Sequence, residues 1–205
     1  MRCSMTQAES GKMLNESKHH PLTGIKKDLE KNRDTQDAFL EIDSNLSFFI
    51  IRGKAENKLF FDEVFNLLGQ SLPLEPNTFT SDKHQLYWLG PNEWLLVADA
   101  EKKILVRNPS SKNGMHIINQ SGALIQMKLS GNRASNAISK GCTLNLEKSL
   151  PKPGYCAQTL MAKSNIVLSL TDDKPTYNII VRRSFSEHLA KWLQNAIEEF
   201  NSTDI

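Results

Sequence analysis

The sequence lacks an excess of charge of either sign. Its 205 residues carry 25 lysines and arginines against 23 aspartates and glutamates, which leaves a formal net charge of +2 at pH 7. A surface that binds nucleic acid or anionic lipid needs a concentration of basic side chains, and such a concentration usually shows in the net charge. The balance therefore argues against nucleic acid and against a membrane as partners.

Cysteine is also scarce. The three cysteines, Cys3, Cys142 and Cys156, are odd in number and far apart, which fits neither a disulfide framework nor a zinc site with its closely spaced ligand pairs. The adjacent His19 and His20 point in different directions and have no third ligand nearby, so no metal site is predicted there. Free cysteines are typical of a reducing compartment, and the sequence predicts a cytoplasmic protein.

Two further absences concern membranes and cofactors. No apolar run approaches the roughly 20 residues that a membrane-spanning helix requires, and residues 1–16 lack the apolar centre of a secretory signal. The glycines never form the Gly-x-Gly-x-x-Gly turn that binds flavin and nicotinamide dinucleotides. Ser184, His188 and Asp172 make a hydrolytic triad on paper, but Ser184 is better explained as a helix cap. We therefore predict no catalytic, cofactor-binding or metal-binding residue in this chain.

The strongest pattern present is a pair of apolar runs, 86–89 and 94–98, separated by turn residues. Pro91 presets φ for the first corner of a turn, and Asn92 tolerates a left-handed second corner. The two runs therefore predict an antiparallel hairpin. Because they are apolar almost without interruption, both faces of the hairpin should be covered, either by other elements of this chain or by another chain.

The composition divides the chain into a tail and one domain. Residues 1–37 are rich in polar side chains and predict a flexible tail, of which 21–29 is a segment able to pack against a partner. Residues 38–205 predict a single compact α+β domain made of two halves, about 38–107 and 115–200, joined by a linker rich in Asn, Ser and Gly. Each half is predicted to run strand, strand, helix, similar to a split β-α-β unit.

The first half is predicted to hold two strands and a helix before the hairpin. The strands, 39–43 and 46–52, are expected to pair with each other through a turn at residues 44–45. Apolar residues at helical spacing predict a helix over 59–68, and Gly69 behind it is a typical C-terminal stop.

The second half is predicted to repeat this order and then to extend it. Ser130 is expected to cap a helix over 132–140. The final helix is expected to start with a capping box, Ser184 to Glu187, and to bury an apolar stripe that includes Trp192. The predicted strands of this half are 115–119, 123–129, 156–162, 166–170 and 177–183.

Five residues are candidates for a subunit interface. Neighbouring strand residues point to opposite faces, so Arg182 or Arg183 must face whatever covers the apolar side, where it would pair with a partner's carboxylate or bind an anionic ligand. The alternative is an arginine whose stem packs on the sheet while its guanidinium reaches water. Trp88 or Trp94 would anchor such a contact, because aromatic side chains give large burial. Glu93 is either part of the contact or an ordinary solvated turn residue.

Five short segments then follow one another in a specific order, although each alone would be a weak signal. They are 88–96 (WLGPNEWLL), 129–134 (LSGNRA), 140–146 (KGCTLNL), 156–160 (CAQTL) and 181–185 (VRRSF). In this order they resemble the gamma subunit of heterotetrameric sarcosine oxidase. The resemblance covers about residues 38–200 and leaves the N-terminal tail outside it.

The resemblance implies a fold similar to the folate-binding region of the glycine-cleavage aminomethyltransferases, and it implies alpha, beta and delta subunits as partners. In that family the alpha and beta subunits carry FAD, covalently attached FMN, NAD and the tetrahydrofolate site, and the delta subunit holds zinc. The complex oxidises the N-methyl group of sarcosine to give glycine and hydrogen peroxide, and it passes the one-carbon unit to tetrahydrofolate. The gamma subunit has no known cofactor, so the resemblance implies none in this chain.

Two other functions stay open. A free-standing folate-binding or aminomethyltransferase-like protein would share the fold, although such enzymes are longer and add a C-terminal barrel. A non-enzymatic binding module outside any oxidase would also lack a catalytic constellation. Tight binding of folate to the isolated chain would favour the first, and neighbouring genes for the other three subunits would exclude the second.

Overall fold

Two antiparallel sheets stack face to face and carry helices on both outer surfaces, so the predicted α+β class is confirmed. The computed structural model describes residues 20–29, 37–100 and 114–201. In chain order the elements are α1 (Thr23–Leu29), β1 (Phe39–Asp43), β2 (Leu46–Arg52), α2 (Lys58–Leu68), β3 (Phe79–Ser81), β4 (Gln85–Gly90), β5 (Glu93–Asp99), β6 (His116–Asn119), β7 (Leu124–Ser130), α3 (Ala134–Ser139), α4 (Leu146–Ser149), β8 (Cys156–Met161), β9 (Ser164–Asp172), β10 (Thr176–Arg182) and α5 (Arg183–Asn201).

The two sheets exchange a strand. The C-terminal sheet has the order β1-β7-β10-β9-β8, and the N-terminal sheet has the order β3-β4-β5-β2-β6. Thus β1, from the first half of the sequence, pairs with β7, while β6, from the second half, pairs with β2. The predicted pairing of 39–43 with 46–52 is wrong, because the chain passes from one sheet to the other at residues 44–45. It passes back at residues 120–123.

The burial of the strands explains this crossing. In β1, Leu40 and Ile42 are buried between more exposed neighbours, which suits an edge strand with one covered face. In β2, Phe48 and Phe49 are adjacent and both buried, which suits an inner strand covered on both faces, and β2 indeed lies between β5 and β6. The short connection therefore joins two layers instead of turning a hairpin.

The predicted hairpin is β4–β5, and this chain covers both of its faces. Trp94 and Leu96 pack in the cluster beneath α2, whereas Tyr87 and Leu95 pack against the C-terminal sheet. Trp94 is fully buried, and its indole N–H donates to the carbonyl of Pro73 at 2.8 Å. The sequence allowed the hairpin to be covered either by this chain or by another chain, and the structure shows that this chain covers it.

The turn of this hairpin forms at Pro91 and Asn92 as predicted. Asn92 is not among the described residues with positive φ, so the turn does not use the left-handed corner that this residue tolerates. Asn92 serves instead as an acceptor, because its carbonyl binds the Gly53 amide at 3.2 Å and its side-chain oxygen binds the Ala55 amide at 2.9 Å. A Cβ at Gly53 would lie 2.3 Å from the Phe60 ring, so this contact requires glycine.

The first amphipathic helix, α2, agrees with the prediction. Asn57 caps it by accepting a hydrogen bond from the Leu59 amide at 3.0 Å, and Gly69 ends it with φ of 65°. In the second half, α3 starts at Ala134, and Ser130 is the last residue of β7. The predicted cap at Ser130 is therefore wrong, since that residue still belongs to the sheet.

The last helix, α5, packs its predicted apolar stripe on the C-terminal sheet. It begins at Arg183, so Ser184 is already helical, and Glu187 pairs with Lys191 at 2.7 Å. The predicted capping box is therefore wrong. Trp192 is only partly buried, and it lies over Gly141, where a Cβ would come within 2.4 Å of the indole.

Part of the predicted tail belongs to the domain. Helix α1 packs beside β1, and Leu22 ahead of it is fully buried in the helix-covered core. The tail prediction is wrong for residues 20–29, because a single buried leucine and its neighbours suffice to dock this short segment. The remaining tail, 1–19 and 30–36, and most of the predicted linker lie outside the described residues. Within the described part of the chain, no helix is long and apolar enough to cross a membrane.

Candidate functional site

One end of the layer between the sheets is filled and closed. We call it the closed end; it lies where β4 and β10 begin. The Tyr87 and Phe79 rings stack with centroids 4.9 Å apart, and the Tyr87 hydroxyl donates to Gln85 at 2.7 Å. From the opposite sheet, Asn178 donates to Gln85 at 3.3 Å, and Ser169 Oγ lies 3.4 Å from the Tyr87 hydroxyl. Burial raises the pKa of Tyr87 to about 12, so the phenol stays neutral and joins the two sheets.

Backbone hydrogen bonds also join the sheets at the closed end. The Cys156 amide donates to the Asn77 carbonyl at 2.8 Å, and the Phe79 amide donates to the Gly154 carbonyl at 2.8 Å. These bonds connect the segment around β3 to the start of β8. The closed end is therefore fixed by main chain as well as by side chains.

The other end of the same layer, where β4 and β10 finish, holds a cleft of about 730 Å³ that is open to solvent. We call it the open end. The N-terminal sheet contributes Ile50 and Leu89 to its walls, and the C-terminal sheet contributes Val167 and Arg182. Ile50, Leu89 and Val167 are only partly buried, in contrast to the residues at the closed end. Here the two sheets do not complete the packing between them.

Arg182 is the basic residue that the C-terminal sheet presents to this cleft. Alternate residues of a strand share a face, and Ile180, two positions earlier, is buried between the sheets. Arg182 is the last residue of β10, where the layer opens, and its side chain is exposed. Among the described residues it has neither a hydrogen-bond partner nor an ion-pair partner. The part of the chain that the structure describes therefore leaves this guanidinium available to a carboxylate.

Glu93 has a partner within the chain. It lies directly opposite Arg52 in the β2–β5 ladder, and one of its oxygens accepts from Arg52 Nε at 2.9 Å and from Nη2 at 2.9 Å. Both side chains are partly exposed, and a pair of this kind contributes only up to about 1 kcal/mol to stability. Glu93 is thus neither a free turn residue nor an unpaired acid.

A second cleft, of about 610 Å³, lies beside the first and shares Arg52 and Glu93 with it. Its other lining includes Lys54, Asn57 and His116. The Arg52–Glu93 pair lines both clefts, so the two depressions adjoin at this pair. Together they form a concave surface at the open end of the molecule.

Gln158 crosses the mouth of the first cleft. It lies on β8, and its amide nitrogen donates to the Leu89 carbonyl at 2.8 Å, which joins the two sheets at the open end. Leu89 is available for this bond because the β4–β5 register shifts between Trp88 and Gly90. The extra residue of such a bulge is left out of the ladder.

The remaining interface candidates lie on other surfaces. Trp94 is fully buried in the chain's own core, so the structure corrects its assignment as an interface anchor: it has no exposed surface for a partner. Trp88 is half-buried on the α2 side of the sheet, away from the cleft. Arg183 begins α5, donates its amide to the Ala123 carbonyl at 2.8 Å, and lies near His20. Burial, followed by the charge of Arg183, lowers the pKa of that histidine.

Nucleophilic and metal-binding residues do not converge in the described part of the chain. Burial raises the pKa of Cys156 to about 12, so its thiol stays protonated and donates to a backbone carbonyl at 3.3 Å. Cys142 is buried in the helix-covered core. Asp172 ends β9 at the closed end, whereas Ser184 lies at the open end. The structure therefore does not bring together the hydrolytic triad that the sequence allowed. Nor do the described residues include three acidic, histidine or cysteine side chains placed to hold a metal.

Sequence reasoning missed Arg52 and Gln158. Arg52 was the end of a predicted strand, and only the pairing of β2 with β5 brings it to Glu93. Gln158 carried a weak signal, because it shares a strand face with Cys156 and Leu160 and interrupts an otherwise apolar face. The Leu89 carbonyl is free to accept this bond only because of a bulge in β4, and no residue type in the sequence predicts that bulge.

The stacked sheets with outer helices form a fold that is also found in a sarcosine oxidase complex and in an aminomethyltransferase. A chain of the heterotetrameric sarcosine oxidase from Corynebacterium sp. U-96, in complex with pyrrole 2-carboxylate, has a TM-score of 0.75 at 20% identity over 93% of this chain and 100% of that chain. The glycine cleavage system aminomethyltransferase T from Bartonella henselae has a TM-score of 0.57 at 12% identity, over 81% of this chain and 50% of that one. At these identities the likeness shows the fold alone.

Sequence comparison gives the family. Sarcosine oxidase subunit gamma from Corynebacterium sp. (strain U-96) is 26% identical over 120 residues, which cover 58% of either chain. The same subunit from Corynebacterium sp. (strain P-1) is 29% identical over 121 residues, which cover 58% of this chain and 59% of the relative. The model of the sarcosine oxidase gamma subunit family matches residues 52–199, and the chain belongs to this family.

Proposed function

We propose that this chain is the gamma subunit of a heterotetrameric sarcosine oxidase, and that it assembles with alpha, beta and delta subunits. The observation that carries the proposal is the family match over residues 52–199, which runs from the end of β2 into the last turns of α5 and so spans both sheets. The fold likeness to a chain of a sarcosine oxidase complex, complete over the length of that chain, supports it.

The assembled complex, in this proposal, oxidises the N-methyl group of sarcosine. Oxygen takes up the electrons as hydrogen peroxide, glycine is released, and the one-carbon unit passes to tetrahydrofolate. FAD, FMN, NAD, the folate site and zinc belong to the partner subunits, and the complex works in the cytoplasm. This chain contributes structure and contacts, while the partner subunits contribute the catalytic residues.

The interface of the proposed subunit includes Arg182, because an exposed cation without a partner among the described residues suits an acid across an interface. Glu93 takes part through its pair with Arg52. Trp88 and Arg183, which face different sides of the molecule, are candidates for contacts with further neighbours. A subunit enclosed by several partners needs such separate surfaces.

Co-expression tests this proposal. The full chain, carrying an affinity tag, is produced with the alpha, beta and delta subunits, and the purified material is assayed for sarcosine-dependent oxygen uptake. We expect the four chains to co-purify in equal amounts, and the yield of active complex to fall when this chain is omitted. An active three-subunit enzyme that leaves this chain free in solution would contradict the proposal.

The second candidate is a free-standing folate-binding protein of the aminomethyltransferase type. It is favoured by the fold shared with half of aminomethyltransferase T and by the open cleft between the sheets. Calorimetry of the isolated chain with tetrahydrofolate separates the two functions. Binding at micromolar concentration or tighter would support the second candidate, and the first predicts no measurable heat of binding.

A further inference from the structure

Two clefts lie side by side at the open end, and we call them together the groove. They share Arg52 and Glu93 and have volumes of about 610 and 730 Å³. A pocket for one small molecule usually measures about 300–1,000 Å³ and encloses most of its ligand. Each cleft alone falls within that range, but both are open to solvent and enclose little. Two open clefts side by side suit an extended segment of polypeptide better than a compact ligand.

The charge of the groove is positive. Among its lining residues Arg52, Lys54 and Arg182 are basic and Glu93 is acidic, which leaves a net charge of +2 with His116 neutral. The Arg52–Glu93 pair is satisfied within the chain. The side chains of Arg182 and Lys54, at either side of that pair, have no partner among the described residues. A complementary occupant therefore carries at least two carboxylates, spaced to reach both cations.

Exposed apolar side chains flank the groove. Leu160 on β8 lines the larger cleft and is 52% exposed. Ile118 on β6 is 40% exposed and lies directly opposite Ile50 in the ladder, so it points to the face on which Ile50 lines the cleft. Large exposed apolar residues beside a concave surface are typical of protein contacts. They require apolar side chains in the occupant between its acidic residues.

We propose that this groove binds an extended, acidic segment of a partner subunit. This inference rests on the proposed function and adds to it the surface and the chemistry of the contact. One carboxylate of the segment pairs with Arg182 and another with Lys54, while apolar side chains between them cover Leu160 and Ile118. Glu93 holds Arg52 in place between the two contacts and does not itself meet the partner.

Charge reversal tests the ionic part. Arg182→Glu is compared with Lys174→Glu, which makes the same change in charge at the other end of β10, in the exposed turn before it. Both variants are co-expressed with the three partner subunits. We expect Arg182→Glu to weaken assembly about tenfold or more, because it sets two like charges against each other across the contact, and Lys174→Glu to assemble as wild type does. Equal assembly by both variants would overturn the inference.

Cross-linking tests the location and the chemistry of the occupant. A photoreactive phenylalanine derivative replaces Leu160 in the full chain, the four-subunit complex is purified and irradiated, and the cross-linked peptide is identified by mass spectrometry. We expect a partner-subunit peptide that is rich in aspartate and glutamate. A neutral or basic peptide, or no cross-link in a complex that has assembled, would overturn the inference and leave the proposed function standing. Failure of wild type to assemble at all would instead contradict both.

Discussion

The closed and open ends of the layer between the sheets are built from the same strands but differ in their contents. At the closed end, Tyr87 and Phe79 stack and the hydroxyl of Tyr87 joins the polar groups of two strands. At the open end, β4 and β10 finish in Leu89 and Arg182, which line an open cleft. The chain therefore stabilises its two sheets at one end and keeps the other end accessible. In our proposal, stability and binding are separated along this single layer.

This separation has an energetic basis. Full burial of a large side chain contributes about 1.5–3 kcal/mol, and a buried hydrogen bond contributes about 1 kcal/mol more when all its groups are satisfied. Residues at the open end that stay half-exposed contribute only part of this. A substitution at the closed end should consequently act on folding, and a substitution at the open end should act on assembly.

The largest expected effect comes from removing the ring at the closed end. Tyr87→Ala deletes a fully buried side chain, its stacking on Phe79 and its hydrogen bonds. We expect a loss of about 3–5 kcal/mol in the free energy of unfolding, measured by urea denaturation. A matched truncation at the open end, Leu89→Ala, should cost clearly less, since Leu89 is only half-buried. Equal losses at the two positions would remove the distinction between the ends.

Alkaline pH is the second way to test the closed end. Burial raises the pKa of Tyr87 to about 12, whereas an unfolded tyrosine ionises near pH 10. Between these values the unfolded chain binds fewer protons than the folded chain, so stability is full below about pH 10 and is lost as pH rises toward 12. The contribution of one group reaches at most about 1.4 kcal/mol per pH unit. Cys156, whose pKa burial raises to about 12, adds to this loss from about pH 9 upward.

The control for this pH dependence is Tyr87→Phe, which keeps the ring and removes the ionisable hydroxyl. Its stability should fall less steeply than that of wild type between pH 10 and 12. Identical slopes in the two proteins would show that Tyr87 does not carry the alkaline transition.

A smaller effect is expected at the bridge across the open end. Gln158→Ala removes the hydrogen bond to the Leu89 carbonyl. Because both residues border an open cleft, water replaces the lost donor, and we expect a cost of only about 0.5–1 kcal/mol in thermal or urea unfolding. A loss as large as that of Tyr87→Ala would mean that Gln158 holds the sheets together and that the open end is not a separate region.

The smallest effect on folding is expected at Arg182. Arg182→Gln removes an exposed charge with no partner among the described residues, so the free energy of unfolding should change by less than about 0.5 kcal/mol. The same variant should still lower assembly with the partner subunits. A marked loss of stability in the isolated chain would show that the guanidinium supports the fold.

Local patterns in the sequence predicted most of the elements and the β4–β5 hairpin, but not the pairing of β1 and β2. The helical spacing of 59–68 and the apolar runs around Pro91 depend on neighbours a few residues away, and both predictions are confirmed. The pairing of β1 with β7 depends on which layers cover each strand. The residues around Ser44 do not indicate that the chain changes sheets there. The exchange of strands between the sheets therefore required the structure.

The candidate site was predictable only in part, for the same reason. Alternation along β10 predicted that one of Arg182 and Arg183 faces the covered side, and the structure gives that place to Arg182. The large burial that an aromatic side chain gives made Trp94 an interface candidate, but a tryptophan in an inner strand is more easily buried within its own chain, as Trp94 is. The partner of Glu93 depended on strand register, which the sequence does not specify.

Hydrogen exchange of the isolated chain and of the four-subunit complex tests the account most directly. We expect the amides of the closed end, at the starts of β4 and β10, to be equally protected in both samples. Protection should increase on assembly along β8 around Leu160, in residues 120–124 and at the end of β10. An increase confined to α2 or to the helices on the C-terminal sheet, with no change at the open end, would contradict the account.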